Sequence, residues 1–461
     1  MNREERNKAA QNFENKVDFK SGSKVNVIGA GLAGCDAAHF LASCGIRVKL
    51  FEMKPKKFSP AHSDKNFGEL VCSNSLKSDD VYGNACGLLK EEMRKLGSLV
   101  IEAADHTSVP AGRALAVDRS AFSEYITRKI CSDPMIEVIE EEVKEIPGGY
   151  SIIATGPLTS DAFSKTLVSK FGENLYFYDA AAPIVSAQSV DFSKAFVADR
   201  YGKGNGDYLN CPLTKEEYEA FVDALVTAER GLVHEFDKRE VFEGCMPVEV
   251  MAARGKDTLR FGMLKPVGLY DAEGKRPYAV LQLRKENVEG SAYNLVGCQT
   301  NLKFSEQKRV FSLIPALKNA EFVRYGVMHR NTFLNSPHIL KSDFSLKEDG
   351  KVFFAGQMTG VEGYVESAAS GLYAAICCAL KLAGKDSLSP DPRTVCGALA
   401  RHVSCPSENF QPMNANYALL SPLDEQIRDK ALKKKMYAER SLEITDGIAK
   451  MLKGIYPSLC E

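Results

Sequence analysis

Residues 23 to 53 read SKVNVIGAGLAGCDAAHFLASCGIRVKLFEM, and no other stretch narrows the fold as far. Val25, Val27 and Ile28 make a short apolar strand that runs straight into Gly29-Ala30-Gly31-Leu32-Ala33-Gly34. A helix is expected from about Ala33 to Ser43, stopped by Gly45, and a second strand from Ile46 to Phe51 ends at Glu52. Each glycine answers a physical need. Gly29 permits the tight turn, Gly31 lets the backbone approach a pyrophosphate closely, and Gly34 allows helix–strand packing. The exposed N–H groups at the helix start attract that pyrophosphate. Glu52, 18 residues past Gly34, is placed to hydrogen-bond a ribose hydroxyl. Glycines at this spacing occur in many turns, but strand, helix, second strand and terminal acid together predict a dinucleotide-binding α/β domain.

Two distant segments bear on which dinucleotide. GGYSIIATGPLTS gives a strand, Ser151 to Ala154, ending in Ala154-Thr155-Gly156. GKVFFAGQMTGVEGYVESAASG gives a strand, Val352 to Ala355, then a turn carrying Gly356, Gln357, Thr359, Gly360, Val361 and Gly363, then a helix from about Tyr364. A second glycine-rich strand-to-helix turn points another helix N-terminus at the same long ligand. FAD is long enough to need both; a nicotinamide or S-adenosylmethionine site would leave the second turn unexplained. The predicted fold is therefore a Rossmann-like FAD-binding domain of the glutathione-reductase kind, split in sequence into 24–180 and 330–390. An inserted α+β domain is expected over 181–329, with strands around Tyr278 to Val296. Residues 1–23 read as an extension, and 391–461 as mostly helical after SLSPDPRT.

The chain of 461 residues has 44% hydrophobic and 26% charged residues, as a soluble enzyme with a sizeable core would. A net charge of -1 gives no global pull toward nucleic acid, so such a partner must meet a local patch. The charged start lacks the apolar stretch of a secretory signal, and no run reaches the roughly 18 apolar residues of a membrane span. Gly371 to Gly384 reads as a buried helix. Thirteen cysteines without an export signal read as reduced thiols in a cytoplasmic protein. No C-x-x-C pair exists and the seven histidines are scattered, so no metal site is expected.

In ELVCSNSLKSDD, Cys72 stands between an apolar lead-in and small polar residues. With VIGAGLAG, GLLKEEMR, VPAGRALAVDR, FEGCMPVEVMAARG, GVMHRNTF, FAGQMTGVEGYVESAASG and NFQPMNANY, it makes the chain resemble the folate- and FAD-dependent RNA uracil-5-methyltransferases, from about Val25 to beyond Leu420. The chain departs from that pattern at Arg113 and at Phe304-Ser305, where Trp-Gly is expected. The resemblance implies C5-methylation of a uridine in structured RNA, foremost the T-loop of tRNA, with ribosomal RNA as the alternative. It also implies methylenetetrahydrofolate as carbon donor and NAD(P)H as reductant of the flavin.

Uracil C5 is a poor nucleophile until a thiolate adds to C6, so the route needs a reactive cysteine, a base and a hydride source. The resemblance singles out Cys72 and Cys245. Cys72 is preferred as nucleophile and Cys245 as base, with the reverse assignment open. Lys77 is placed to add positive charge near the Cys72 thiol. Ser73, Asn74, His62, His329 and Arg330 are candidates for substrate contact, and Tyr364 or Phe410 for stacking on a flipped base. Cys35, Cys44, Cys377 and Cys378 read as core residues. Candidate basic clusters for phosphate contact are Lys54, Lys56 and Lys57; Lys275, Arg276, Arg284 and Lys285; and Arg428, Lys430, Lys433, Lys434, Lys435 and Arg440 on one helix. A related flavoprotein that modifies the tRNA wobble uridine shares the glycine turns, but should be longer and lack ELVCSNSL with FEGCMP. A disulfide or amine oxidoreductase, or a non-catalytic RNA-binding flavoprotein, are the remaining alternatives.

Overall fold

The computed structural model describes residues 24–59, 61–172, 175–202, 206–231, 246–271, 273–407 and 410–460. Strand β1 (Lys24–Ile28) and strand β2 (Arg47–Glu52) run parallel, joined by helix α1 (Leu32–Ser43). Parallel neighbours require such a crossover. Strand β3 (Ile136–Glu140) adds beyond β2, while β4 (Ser151–Ile153) and β5 (Val352–Phe354) add on the other side. The order is β5-β4-β1-β2-β3 and every pair is parallel. Residues 352–354 thus complete a sheet begun at residue 24. All of β4 and β5 is buried, as in a parallel sheet covered on both faces.

Helix α2 (Tyr364–Leu382) follows β5. By length and composition it could cross a bilayer, yet 89% of it is buried inside the protein. It starts at Tyr364, as the turn before it suggested; the apolar run from Gly371 is only its later part, because Glu366, Ser367 and Ser370 break the run without breaking the helix. It lies hard against α1: a Cβ on Gly371 would stand 2.1 Å from the Ala33 carbonyl oxygen. That contact packs the first turn of α1 against α2 two turns into its length.

Between β4 and β5 the chain builds a six-stranded sheet from Ile184–Ser186, Phe196–Val197, Tyr208–Leu213, Ala279–Lys285, Ala292–Leu295 and Phe322–Arg324. Every pair in it is antiparallel. It has its own core, with Leu281, Phe221 and Phe311 fully buried. A ribbon of Leu175–Ala180 against Met328–Phe333 lies where the chain leaves and re-enters. A small sheet of Ser75–Ser78, Ala114–Val117 and Ser108–Val109 carries the segment just past Cys72. The C-terminal part includes helices Val395–Ser404 and α3 (Lys430–Ile455). Asp429 caps α3 through the Leu432 N–H, which leaves Arg428 outside the helix expected to carry it.

Candidate active site at the mouth of a dinucleotide cleft

Gly29 ends β1 with φ +99°, and a Cβ there would fall 2.6 Å from the Ala154 carbonyl oxygen. Gly34 sits beneath it, where a Cβ would be 1.8 Å from the Gly29 oxygen. Gly31 is different in kind. A Cβ on it would meet no protein atom within 4 Å, so the space beside it is open to a ligand. Neither α1, with Gly31 at its N-cap, nor α2, with Gly363 there, has a side-chain cap, so N–H groups at both helix starts stay available. Glu52 ties the end of β2 to the turn: its Oε2 accepts the Ala30 N–H at 2.8 Å and its Oε1 the Lys54 N–H at 3.0 Å.

Both turns open into one cleft of about 1130 Å³, counting its open mouth. Its walls include Gly29, Ala30, Gly31, Leu32, Ala33 and Glu52 from the first turn, and Gly356 and Gln357 from the second. The loop from Thr155 to Ser160 closes one side. These features fit a long dinucleotide such as FAD. Thr359, Gly360, Val361 and Gly363 do not line the cleft. Thr359 bonds back to the Gly356 carbonyl, Val361 is sealed in the core, Gly360 faces Phe410, and Gly363 faces Glu366 and Lys77. They shape the second turn from behind, as Gly34 shapes the first.

Cys72 follows Val71, which lines the cleft together with Tyr364, the first residue of α2. The Cys72 sulfur lies 2.9 Å from the Tyr364 hydroxyl oxygen. That same oxygen accepts the Cys72 N–H at 2.7 Å and the Ser73 N–H at 3.3 Å. Arg119 donates to the Leu70 carbonyl and pairs with Glu286 at 3.0 Å. On the other side, Arg284 donates to Ser73 Oγ at 2.8 Å and to Asn74 Oδ1 at 2.9 Å. The thiol segment is therefore held by residues from three distant parts of the chain.

The electrostatics around the sulfur are positive. Arg119 and Arg324 both act on Cys72. Burial pulls the Arg119 guanidinium down, but Glu286, with Tyr364 and Cys72, more than restores it. Burial and the neighbouring Arg119 hold Arg324 below its usual range. Positive charge of this kind favours a thiolate. By contrast, Cys35, Cys44, Cys377 and Cys378 are buried, and burial pushes their thiols up, to about 12 at Cys378. They are core residues.

Several expectations need correction. Lys77 does not serve the thiol, because its ammonium lies 3.0 Å from the buried Glu366 carboxylate. Asn74 is fully buried; its amide donates to the Val117 and Lys285 carbonyls while its oxygen takes Arg284, so it is a strut with no reach to a substrate. Arg284 and Lys54 are buried as well, at 5% exposure each, and are no surface for phosphate. Lys54 donates to the Asp64 and Asn66 carbonyls and faces Glu69. Phe410 is buried against Gly360 and cannot stack on a base. His62 does line the cleft; burial holds its imidazole below its usual range, so it is neutral at pH 7. Ser73 stays half-buried beside Cys72. His329 and Arg330 sit on the strand Met328–Phe333, opposite Asp179 and Tyr178 in register. Cys245 and residues 1–23 lie outside the described residues.

Sequence reasoning missed Arg119, Glu286 and Arg324, and gave Arg284 the wrong role. One signal was available: Arg284 shares the strand Ala279–Lys285 with Val280, Leu281 and Leu283, and a charge buried in such a strand must find partners.

The chain has clear relatives among known proteins. A family described as glucose inhibited division protein A matches residues 24–386. The methylenetetrahydrofolate–tRNA-(uracil-5-)-methyltransferase TrmFO of Acetivibrio thermocellus is 59% identical over 424 residues, covering 91% of this chain and 97% of that protein. The protein of the same name from Caldicellulosiruptor bescii is 57% identical over 432 residues, covering 92% and 99%. Among solved structures, Aquifex aeolicus GidA superposes with a TM-score of 0.67 at 17% identity, over 95% of this chain and 75% of that one. That likeness establishes a shared fold.

Proposed function

We infer the activity from a premise: this chain belongs to the glucose inhibited division protein A family and, within it, to the methylenetetrahydrofolate–tRNA-(uracil-5-)-methyltransferases. It methylates C5 of a uridine in tRNA, with methylenetetrahydrofolate as the carbon source. The finer reading takes a T-loop uridine as target, Cys72 as the nucleophile, Cys245 as the base, NAD(P)H as the reductant and the cytoplasm as the compartment.

The observation that supports this reading is that the Cys72 thiol lies 2.9 Å from the hydroxyl of Tyr364, a residue that lines the dinucleotide cleft beside Val71. One pyrimidine entering there meets both the sulfur and whatever fills the cleft. Gly29 to Ala33, Glu52, Gly356 and Gln357 would hold FAD, which when bound and reduced supplies the hydride that turns an exocyclic methylene into a methyl group. Cys72 adds to uracil C6, and the electron pair moves toward C5, which then attacks the methylene carbon. Cys245 takes the C5 proton as the folate nitrogen leaves that carbon, giving the exocyclic methylene, and the Cys72 thiolate departs from C6 once the methyl group is formed. Arg119 and Arg324 favour the thiolate needed for that step. His62, neutral in the cleft wall, can donate or accept one hydrogen bond at a neutral ring.

For RNA contact the N-terminal turns of α3 are the best supported surface. Lys430, Lys433, Lys434 and Lys435 are all exposed there. Lys434 donates to the Gly83 carbonyl, which ties the patch to the segment downstream of Cys72. Such a cluster lets a nearly neutral protein neutralise phosphates locally.

The test is direct. Purified protein with FAD, methylenetetrahydrofolate, NADPH and unmodified tRNA should form 5-methyluridine in the T-loop; the parallel reaction with ribosomal RNA addresses the other target. Absence of 5-methyluridine from both RNAs rejects the reading.

A further inference from the structure

The Tyr364 hydroxyl has a hydrogen-bonding arrangement that leaves one direction for its proton. A phenol has two acceptor lone pairs and one O–H. The Cys72 and Ser73 N–H groups both point at the oxygen, at 2.7 and 3.3 Å, and can only donate. With both lone pairs taken, the proton is left for the third neighbour, the Cys72 sulfur at 2.9 Å. Two N–H donors on the oxygen also make its O–H a stronger donor. We propose that Tyr364 is a positioning residue for Cys72: its hydroxyl donates to the sulfur, holds it as the thiolate and fixes its aim into the cleft. The proposal rests on the reading that Cys72 is the reacting thiol.

Three further observations fit. Tyr364 is the first residue of α2, so the helix that bounds the second glycine turn also sets the thiol. Burial holds the phenol well above its usual range, so it keeps its proton to donate. The contact joins residues 292 apart in sequence, so it ties the start of α2 to the Cys72 segment.

Among the described residues, the charged groups around the sulfur include Arg119 at the start of helix Arg119–Ser132, with Glu286 paired to it, and Arg324 on strand Phe322–Arg324. Glu69 lies on the thiol's own segment, and Arg284 reaches the neighbouring Ser73. The arginines favour the thiolate whether or not Tyr364 is present. The proposal concerns the part that Tyr364 adds.

The test uses FAD-loaded enzyme and the rate of iodoacetamide alkylation at the Cys72 peptide, followed by mass spectrometry across pH. In Tyr364→Phe the profile should move alkaline, with alkylation about tenfold slower near pH 7 and unchanged at high pH, because a lost hydrogen bond to the anion costs about one pH unit. Replacing Tyr364 with 3,5-difluorotyrosine, a more acidic donor of nearly the same shape, should move the profile the other way. A tyrosine with only a structural role would lower the melting temperature and leave both profiles in place. Coincidence of the fluorotyrosine and unsubstituted profiles overturns the proposal, even where Tyr364→Phe folds poorly. Normal methylation by Cys72→Ala would instead reject the function assigned to the thiol, and leaves the alkylation result intact.

Discussion

The first glycine turn and the Cys72 junction share one cleft but are built in opposite ways. The turn draws on residues 28 to 34 and Glu52, and its functional atoms are backbone N–H groups and empty space beside Gly31. The junction draws on Cys72, Arg119, Arg284 and Tyr364, and its functional atoms belong to side chains. A backbone-built site tolerates changes of side chain and fails when a Cβ intrudes. A side-chain-built site fails when a single partner is truncated, and the neighbouring site does not notice.

The largest separation between the two is expected for Cys72→Ala, which should lower methyl transfer at least about a thousandfold while FAD binding, read by flavin absorbance, is unchanged. Parallel loss of FAD would mean the two sites are not separable. Next, Gly34→Ala forces a Cβ to 1.8 Å from a backbone oxygen. It should destabilise the fold by about 3 kcal/mol or more, seen in denaturant unfolding. Gly31→Ala meets no protein atom, so the melting temperature of the cofactor-free protein should stay put while FAD affinity falls roughly 10- to 100-fold, or about 1–3 kcal/mol. Equal effects of the two substitutions on the cofactor-free protein would break the distinction.

Arg284→Met probes the junction from behind. It strips Ser73 and Asn74 of a partner, and should reduce kcat about tenfold with FAD affinity intact, since a buried polar group left unpaired costs about 1–3 kcal/mol. The smallest effect on activity is expected at Asp36, buried on α1 and bonded to Ser98 Oγ and the Val100 N–H. Burial pushes its carboxyl up to about 7, above the value of an unfolded chain, so the folded state holds a proton that the unfolded state has lost. Its contribution to stability is thus present below about pH 4 and falls away as pH rises toward 7. Asp36→Asn should flatten the stability profile across that window by up to about 1.4 kcal/mol per pH unit, measured by chemical denaturation, with methyl transfer little changed.

What the sequence disclosed follows the same division. The strand–turn–helix of residues 24–43 was legible within a residue or so, because glycine spacing and apolar periodicity are local signals. The second turn was legible too, and the parallel sheet joins Val352–Phe354 to Ser151–Ile153. The junction was not. Arg284 looked like surface charge and Arg119 stood out in no way, since nothing near them in sequence shows that their partners are Leu70, Ser73 and Asn74. Lys77 looked well placed beside the thiol, and Glu366, far along the chain, takes its charge instead. Side-chain networks of this sort are set by which elements pack together, and single-sequence patterns do not encode that.

The most direct test of the central claim, that Cys72 is the atom joined to the base, uses tRNA containing 5-fluorouridine. Fluorine at C5 cannot leave as a proton, so the sulfur–C6 adduct should persist and survive denaturation. The account predicts a covalent RNA–protein complex whose peptide map places the nucleotide on Cys72 and which Cys72→Ala fails to form. An adduct mapped to Cys245, or one formed undiminished by Cys72→Ala, would contradict it.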